Sequence, residues 1–181
     1  MIRIFLVGYM GAGKTTLGKA VARKYKLSFV DLDWYIEERF HKTIKELFEE
    51  KGEAGFREIE RNMLHEAGVF EDVVVSTGGG TPCFFDNMEF MNSLGDTVFL
   101  DVCPDVLFKR LRVAAQSRPV LRDKHEEELH AFIEEGLTKR NSYYNRAKYT
   151  FDGNRLENRW QINESVEELG KLLKLQPSAL E

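Results

Sequence analysis

The sequence predicts an α/β fold in which a five-stranded, mainly parallel sheet is covered by helices on both faces. Short β-rich segments alternate with longer stretches of helical periodicity along the chain, a pattern typical of βαβ units. Connections of this length favour parallel strands, because parallel neighbours need a crossover of about a dozen residues or more. The strand candidates are residues 2–7, 28–31, 73–77, 97–102 and 149–151.

Two of these strands are expected in the middle of the sheet. Residues 4–7 and 73–75 are continuous apolar runs, as is typical of strands buried on both faces. Apolar residues at helical spacing predict helices over residues 14–25 and 164–175. In an open sheet of this kind ligands bind beyond the carboxyl ends of the strands, so the residues that follow each strand are the candidates for function.

Composition narrows the possible classes of function. The chain has 181 residues, 43% of them hydrophobic, which suits one domain, predicted over residues 1–175 with a C-terminal tail at 176–181. Its 26 basic and 30 acidic residues are mixed along the chain without a basic tail, so nucleic acid is not an expected partner. The two cysteines, Cys83 and Cys103, lack the spacing of a disulfide framework or a zinc site.

The sequence contains neither a recognisable membrane span nor a targeting signal. Its apolar start, residues 1–7, is far shorter than the run of about 18 apolar residues that indicates a span, and no small-residue cleavage site follows a charged start. We therefore expect a cytoplasmic protein with no membrane partner. We also expect it to be a monomer.

A phosphate-binding motif follows the first strand. Residues 8–15, Gly-Tyr-Met-Gly-Ala-Gly-Lys-Thr, fit the pattern GxxxxGK[ST] and precede an amphipathic helix. The glycines let backbone N–H groups point at phosphates, Lys14 can reach the β- and γ-phosphates, and Thr15 can offer a hydroxyl to Mg²⁺. This context disfavours the alternative, a glycine-rich turn without function. The nucleotide-binding candidates here are Gly11, Ala12, Gly13, Lys14, Thr15 and Thr16.

Two carboxylates follow the second strand. In Val30-Asp31-Leu32-Asp33 they alternate with apolar residues, so an extended segment would project both to the same side. A carboxylate near the γ-phosphate can hold Mg²⁺ through water, and one farther out can accept the proton of a substrate hydroxyl. We assign Asp31 to the metal and Asp33 to the hydroxyl. The alternative is a helix N-terminus, because aspartate favours first turns and residues 34–40 are compatible with a helix.

Three successive glycines, Gly78 to Gly80, follow the third strand, where they would let a ligand approach the backbone closely. A plain loop is the alternative, although three glycines lose much chain entropy on folding. Arg57 is predicted near a helix start, a position where the helix dipole disfavours a cation. An anionic ligand such as a carboxylate would explain it, and pairing with Glu58 or Glu60 as ordinary surface charge is the alternative.

Taken together, these motifs resemble the shikimate kinases. The Asp-x-Asp, Gly-Glu-x-x-Phe-Arg and Gly-Gly-Gly motifs occur in the order and spacing of that family, and the resemblance covers almost the whole chain. It implies a P-loop fold like that of nucleoside monophosphate kinases, with a shikimate-binding segment at about residues 32–62 and a mobile lid at about 112–126. The matching segments are residues 8–15, 29–33, 46–48, 52–53, 56–57, 78–80 and 117–121.

The resemblance also implies roles for individual residues. On the acceptor side, Asp33 would hold the shikimate hydroxyls and Arg57 and Arg140 would clamp its carboxylate, while Thr15 and Asp31 would serve Mg²⁺. Gly79 and Gly80 would contact the ring of shikimate through their backbone. Arg118 would be the lid arginine over the transferring phosphoryl group, with Arg122 as the alternative. Arg110 would lie against adenine, and Arg155 belongs to the adenine-side loop after strand five.

One departure from the family concerns the last third of the chain. The family commonly has Arg-x-Pro-Leu-Tyr where this chain has Arg140-Asn141-Ser142-Tyr143-Tyr144, so a helix start normally fixed by proline is expected to sit differently.

The sequence therefore predicts transfer of the γ-phosphoryl group of ATP to the 3-hydroxyl of shikimate, a step toward chorismate and the aromatic amino acids. The catalytic candidates are Lys14, Asp33 and Arg118, with Mg²⁺ as cofactor. The alternatives are a kinase for another hydroxylated acid such as gluconate, and a regulatory module that binds nucleotide without catalysis. A GTPase is disfavoured, because Asp101-Val102-Cys103-Pro104 follows the fourth strand in place of the guanine-specific Asn-Lys-x-Asp.

Overall fold

The protein forms a five-stranded parallel sheet, seen in a computed structural model that describes residues 1–114 and 126–176. The strand order is β2-β3-β1-β4-β5, and every neighbouring pair is parallel. The fold class and the five predicted strands are confirmed, and their ends differ from prediction by one residue at most. The strands are β1 (Arg3–Val7), β2 (Ser28–Asp31), β3 (Val73–Ser76), β4 (Asp96–Asp101) and β5 (Tyr149–Asp152).

Seven helices occur in the described parts of the chain, with a short 3₁₀ turn at Thr81–Cys83. The helix predicted over residues 14–25 is confirmed, whereas the one predicted from residue 164 begins five residues earlier, at Arg159, where Asn158 caps it by accepting a bond from the Gln161 amide. The helices are α1 (Lys14–Tyr25), α2 (Leu32–Phe40), α3 (Ile44–Gly68), α4 (Asn87–Leu94), α5 (Pro104–Ala114), α6 (Glu126–Tyr144) and α7 (Arg159–Leu172).

Both faces of the sheet centre are covered. Successive strand residues point to opposite faces, and Ile4, Phe5, Leu6 and Val7 are each fully buried, as are all three valines of β3. The close packing of α1 depends on Gly18, where an added Cβ would lie 2.7 Å from the Phe29 ring. The apolar runs therefore predicted the centre of the sheet correctly.

The segment between β2 and β3 consists mainly of α2 and α3, and α3 itself contains a break. α3 begins with a capping box. The Glu46 amide donates to the Thr43 hydroxyl oxygen, and the Thr43 amide donates to the Glu46 carboxylate. Gly52 interrupts it with a left-handed φ of 70°. Arg57 follows this break closely, near the start of the second helical part of α3, as the sequence predicted.

α5 and α6 flank, along the sequence, the first part of the chain that is not described. α5 ends at Ala114 and α6 begins at Glu126, so most of the predicted lid, residues 112–126, and the tail residues 177–181 lie outside the described residues. Within the described ranges, no helix combines the length and the apolar character needed to cross a membrane.

Candidate active site

The phosphate loop between β1 and α1 has the backbone that its glycines permit. Gly8, Gly11 and Gly13 have φ values of 146°, 79° and 95°, in a region that other residues rarely adopt. Gly13 immediately precedes α1, so the positive end of the helix dipole faces the loop. The Lys14 ammonium donates to the carbonyl oxygens of Gly8 and Tyr9, at 2.7 and 2.9 Å. The loop thus holds a buried cation at the N-terminus of α1.

The two predicted metal ligands lie next to each other. Thr15 Oγ1 donates to Asp31 Oδ2 at 2.7 Å, and Ser76 Oγ lies 3.5 Å from the same hydroxyl. Asp31 is the last residue of β2 and also the N-cap of α2, where its other oxygen accepts a bond from the Trp34 amide at 3.3 Å. Asp31 therefore caps a helix, which was the alternative considered from the sequence, and it also lies beside the other residue predicted to serve the metal. A hydroxyl and a carboxylate are hard oxygen donors of the kind that Mg²⁺ binds together with phosphates and water.

Asp33 does not lie on an extended segment. β2 ends at Asp31, and Asp33 is in the first turn of α2, so the predicted strand alternation is wrong. Its side chain nevertheless lines the same cavity as Asp31, Lys14 and Thr15, a cleft of about 410 Å³ at the carboxyl ends of the strands. The helix turn, and not the pleat, brings the two carboxylates to one cavity.

The surroundings of Asp33 change its acidity. Desolvation by the cleft walls raises the pKa of its carboxyl group to about 6, and the carboxylates of Glu60 and Asp31 add to the increase, while the Lys14 ammonium partly offsets it. Asp33 as a whole is an exposed residue, but its carboxyl group faces the cleft, where it is desolvated. Asp33 thus titrates close to neutral pH, in the range useful for accepting a proton.

Neighbouring groups pack closely against the glycine loop, residues 78–80, because these residues have no side chains. A Cβ on Gly78 would lie 3.0 Å from Asp33 Oδ1, and one on Gly80 would lie 2.7 Å from an Arg57 terminal nitrogen. A Cβ on Gly79 would approach the Met10 amide nitrogen to 3.3 Å. The absence of side chains here lets the acceptor-side residues and the phosphate loop converge, which favours a binding role over that of a plain loop.

Arg57 is held in a largely buried setting. Its Nη1 donates to Glu60 at 2.9 Å, and its guanidinium carbon lies 4.1 Å from the centroid of the Phe84 ring. Glu60 is only 1% exposed and also accepts a bond of 2.6 Å from Thr81 Oγ1. The sequence suggested Glu60 as a possible partner, but the pair is buried and is not surface charge. The buried Arg57 Nε forms no hydrogen bond with any described residue.

Arg140 approaches the glycine loop from α6. Its Nη1 would lie 3.5 Å from a Cβ on Gly79, and its guanidinium carbon lies 5.3 Å from the centroid of the Tyr9 ring. One turn later, the Tyr144 hydroxyl donates to the Gly79 carbonyl at 2.6 Å. Arg140 is in the last two turns of α6, so no helix starts at this point, where the family's proline is missing. The structure brings Arg57 and Arg140 to neighbouring glycines, Gly80 and Gly79.

The two arginines assigned to adenine lie in different surroundings. Arg110, on α5, lines the cleft and donates to the carbonyls of Gly11 and Ala12 at 3.2 Å and of Gly153 at 2.8 Å. Arg155 instead pairs with Glu164 at 3.1 Å and lies over the Trp160 ring, while the adjacent Leu156 and Glu157 line the cleft. Arg110 therefore links the loop after β5 to the phosphate loop. The predicted lid arginines, Arg118 and Arg122, lie outside the described residues.

Three residues of the site were missed as functional candidates. Ser76 faces Thr15 because it ends β3 in register with Asp31, and this pairing is a property of the sheet. Glu60 lies one turn from Arg57, a spacing that the sequence does contain. Tyr144 bonds a residue 65 positions away, and no local pattern signals that contact.

Comparison with known proteins identifies the family. The family model described as shikimate kinase matches residues 10–170. The chain belongs to the shikimate kinase family. A shikimate kinase from Bacteroides thetaiotaomicron is 66% identical over 175 residues, covering 97% of this chain and all of the relative. The family prediction and the enzyme class, a phosphotransferase, are confirmed.

Solved structures of shikimate kinases agree with the fold. The crystal structure of the enzyme from Bacteroides thetaiotaomicron has a TM-score of 0.94 at 66% identity and covers 96% of this chain and 99% of its own. The shikimate kinase from Acinetobacter baumannii in complex with shikimate has a TM-score of 0.82 at 31% identity, covering 96% of this chain and 94% of its own. The similarity extends over nearly the whole chain in both comparisons.

Proposed function

We propose that this protein is an ATP-dependent kinase that transfers the γ-phosphoryl group to the 3-hydroxyl of shikimate, giving shikimate 3-phosphate and ADP. Membership of the shikimate kinase family supports the reaction. The observation that carries the proposal is the arrangement of one cleft, in which Asp33 shares a wall with Lys14 and Thr15. A group that can take a hydroxyl proton thus lies in the same cavity as a phosphate cradle.

The donor half of the site binds the phosphates of ATP. The amides of the phosphate loop, the α1 N-terminus and Lys14 supply positive potential, which stabilises the charge that develops on the transferring group. Arg110 joins this half by bonding the loop carbonyls, and adenine would bind along it toward Leu156. Arg155 would act at the rim of that region. The proposal assigns the phosphoryl contact in the lid to Arg118, with Arg122 as its alternative.

Mg²⁺ would be held at Thr15 and Asp31. The hydroxyl and carboxylate oxygens lie 2.7 Å apart at the cleft wall, and the remaining positions of an octahedral ion suit phosphate oxygens and water. When bound, Mg²⁺ neutralises charge on the β- and γ-phosphates.

The acceptor half, within residues 32–62 and the glycine loop, holds the hydroxylated acid. The ionised Asp33 carboxylate accepts a hydrogen bond from the reacting hydroxyl, orients it and takes its proton as the O–P bond forms. Arg57 and Arg140, which approach Gly80 and Gly79, bind the carboxylate of the acid as charged hydrogen-bond donors. Backbone groups of those glycines contact the ring.

An acceptor panel tests the proposal. ADP release by the full chain, coupled to NADH oxidation, is measured with shikimate, quinate, gluconate and nucleoside monophosphates, each with ATP and Mg²⁺. We expect turnover with shikimate that exceeds every other acceptor by at least about a hundredfold in kcat/KM, because a site built for specific polar groups rejects ligands that leave them unpaired. Preference for gluconate would overturn the substrate, and ATP binding without ADP release for any acceptor would overturn the enzyme.

The proposal extends to the state of the protein in the cell. We infer a monomer in the cytoplasm, where the free thiols of Cys83 and Cys103 would stay reduced. Light scattering coupled to size exclusion should give a mass near 21.0 kDa. A mass of twice that value would refute the monomer, and recovery of activity from the periplasmic fraction would refute the compartment.

A further inference from the structure

Three residues of α6 form one stripe that contacts both halves of the site. Gly136, Arg140 and Tyr144 are spaced four apart, so they lie on the same helix face. A Cβ on Gly136 would lie 2.6 Å from the Tyr9 hydroxyl oxygen, so the helix packs directly against this phosphate-loop side chain. At the other end of the stripe, Tyr144 bonds the Gly79 carbonyl. α6 therefore packs against both the phosphate loop and the glycine loop.

Tyr9 is the phosphate-loop residue that this stripe covers. Its side chain is 2% exposed, and the Arg140 guanidinium carbon lies 5.3 Å from its ring centroid, within the distance of about 6 Å at which a cation is attracted to an aromatic face. The pattern GxxxxGK leaves the residue type at this position open, so phosphate binding does not by itself require an aromatic side chain here.

The two arginines of the acceptor half are stabilised in different ways. Arg57 pairs with the carboxylates of Glu60 and Glu53. Arg140 is half-buried, and among the described residues no carboxylate pairs with it, while an aromatic ring lies beneath it. An aromatic face stabilises a guanidinium group without neutralising its charge. The Arg140 charge thus remains available to an anionic ligand.

We propose that Tyr9 is a positioning residue for the acceptor: its ring orients Arg140 toward the substrate carboxylate and ties this contact to the phosphate loop. This inference rests on the proposed function, because it assumes that Arg140 binds a carboxylate. The buried Tyr9 side chain does not belong to the lining of the cleft. Its removal should therefore weaken acceptor binding and leave the chemical step nearly unchanged.

The test compares Tyr9→Leu and Tyr9→Met, which lack the ring, with Tyr9→Phe, which keeps it. In the full chain, both ring-less variants should raise the KM for shikimate by roughly threefold to thirtyfold, the range of a cation–π contact, with kcat and the KM for ATP within about twofold of wild type. Tyr9→Phe, which keeps the ring, should have the wild-type KM for shikimate. Calorimetric titration with shikimate and with ADP should show the same loss for shikimate only.

A neutral acceptor separates positioning from general damage to the site. The methyl ester of shikimate lacks the carboxylate charge, so its kcat/KM should be the same in wild type and in the ring-less variants. In an Arg140→Ala background, Tyr9→Leu should have no further effect on the KM for shikimate.

Tyr25→Leu is the matched control, since Tyr25 is a buried tyrosine that packs against Gly170, remote from the cleft. It should lower the melting temperature without changing either KM.

The outcomes distinguish this inference from the function on which it rests. Shikimate turnover by the wild type with an unchanged KM in Tyr9→Leu overturns the role of Tyr9 and leaves the function intact. An equal loss of kcat/KM for the methyl ester, or additive effects with Arg140→Ala, also overturns it. No turnover of shikimate by the wild type would instead overturn the function.

Discussion

Replacement of Glu60 by glutamine tests the energetics of the acceptor site. Glu60 is 1% exposed and accepts bonds from Arg57 Nη1 and Thr81 Oγ1, while the Arg57 side chain is 12% exposed. Removing one charge of a buried pair leaves the other uncompensated and destabilises a protein by about 3–5 kcal/mol. Arg57 keeps Glu53 at 3.6 Å, but that carboxylate is 64% exposed and hence strongly screened.

We therefore expect a loss near the lower end of that range, about 3 kcal/mol. In a chain of 181 residues each kcal/mol lowers the melting temperature by about 2–4 °C, so Glu60→Gln should melt roughly 6–12 °C below wild type. The KM for shikimate should rise as well, because Arg57 loses the partner that fixes its orientation. Thermal unfolding followed by circular dichroism at pH 7.5 measures the first effect, and the coupled assay measures the second.

A neighbouring glutamate provides the control for this experiment. Glu58 lies on the same helix and is exposed, so Glu58→Gln should shift the melting temperature by no more than about 2 °C. A Glu60→Gln protein that melts within 2 °C of wild type would refute the reasoning, since Glu60 would then contribute no more than a solvent-exposed ion pair.

Three further predictions concern the cleft. Because the pKa of Asp33 is about 6, kcat/KM for shikimate should fall tenfold for each pH unit below that value. A flat pH profile of kcat/KM between pH 5 and 7 would contradict the role of Asp33 as a general base. Asp33→Asn should reduce kcat by roughly a hundredfold to ten-thousandfold, because it removes the proton acceptor. The same variant should melt at a higher temperature than wild type at pH 7.5. The reason is that the pKa of Asp33 is raised in the folded state, so the ionised carboxylate destabilises the fold above pH 6. This stability gain should disappear as the pH falls toward 4, and a gain that persists there would be inconsistent with the linkage. Tyr144→Phe removes the hydrogen bond to the Gly79 carbonyl, which is worth about 1 kcal/mol. The KM for shikimate in the coupled assay should therefore rise roughly fivefold. An unchanged KM would rule out a role of Tyr144 in positioning the glycine loop.

The sequence predicted the phosphate loop and the sheet well because both depend on local patterns. Gly8, Gly11 and Gly13 all adopt the positive φ values that only glycine tolerates easily, and the apolar runs became the buried strands. Asp33 was assigned to the right cavity for the wrong reason, because alternation along a strand was extended past the point where α2 begins.

The acceptor side was harder to predict, because its contacts join distant parts of the chain. α6 is rich in charged residues and buries only Leu129, Ile133 and Tyr144 along its length, so its periodicity gives a weak helical signal. Its two contacts with the loops of the site, Arg140 with Tyr9 and Tyr144 with Gly79, depend on tertiary packing alone. The burial of the Arg57–Glu60 pair likewise depends on Phe84 and Thr81, which come from a later segment.

The crowding around the glycine loop limits how this enzyme can change its substrate. Side chains from three other segments already occupy the space where Cβ atoms of Gly78 and Gly80 would lie. The loop can therefore offer a ligand only main-chain groups, which are the same whatever the neighbouring sequence. New acceptor preferences should arise instead through substitutions of side chains in residues 32–62 and on α6. Directed evolution toward another hydroxylated acid should accumulate substitutions there and keep all three glycines.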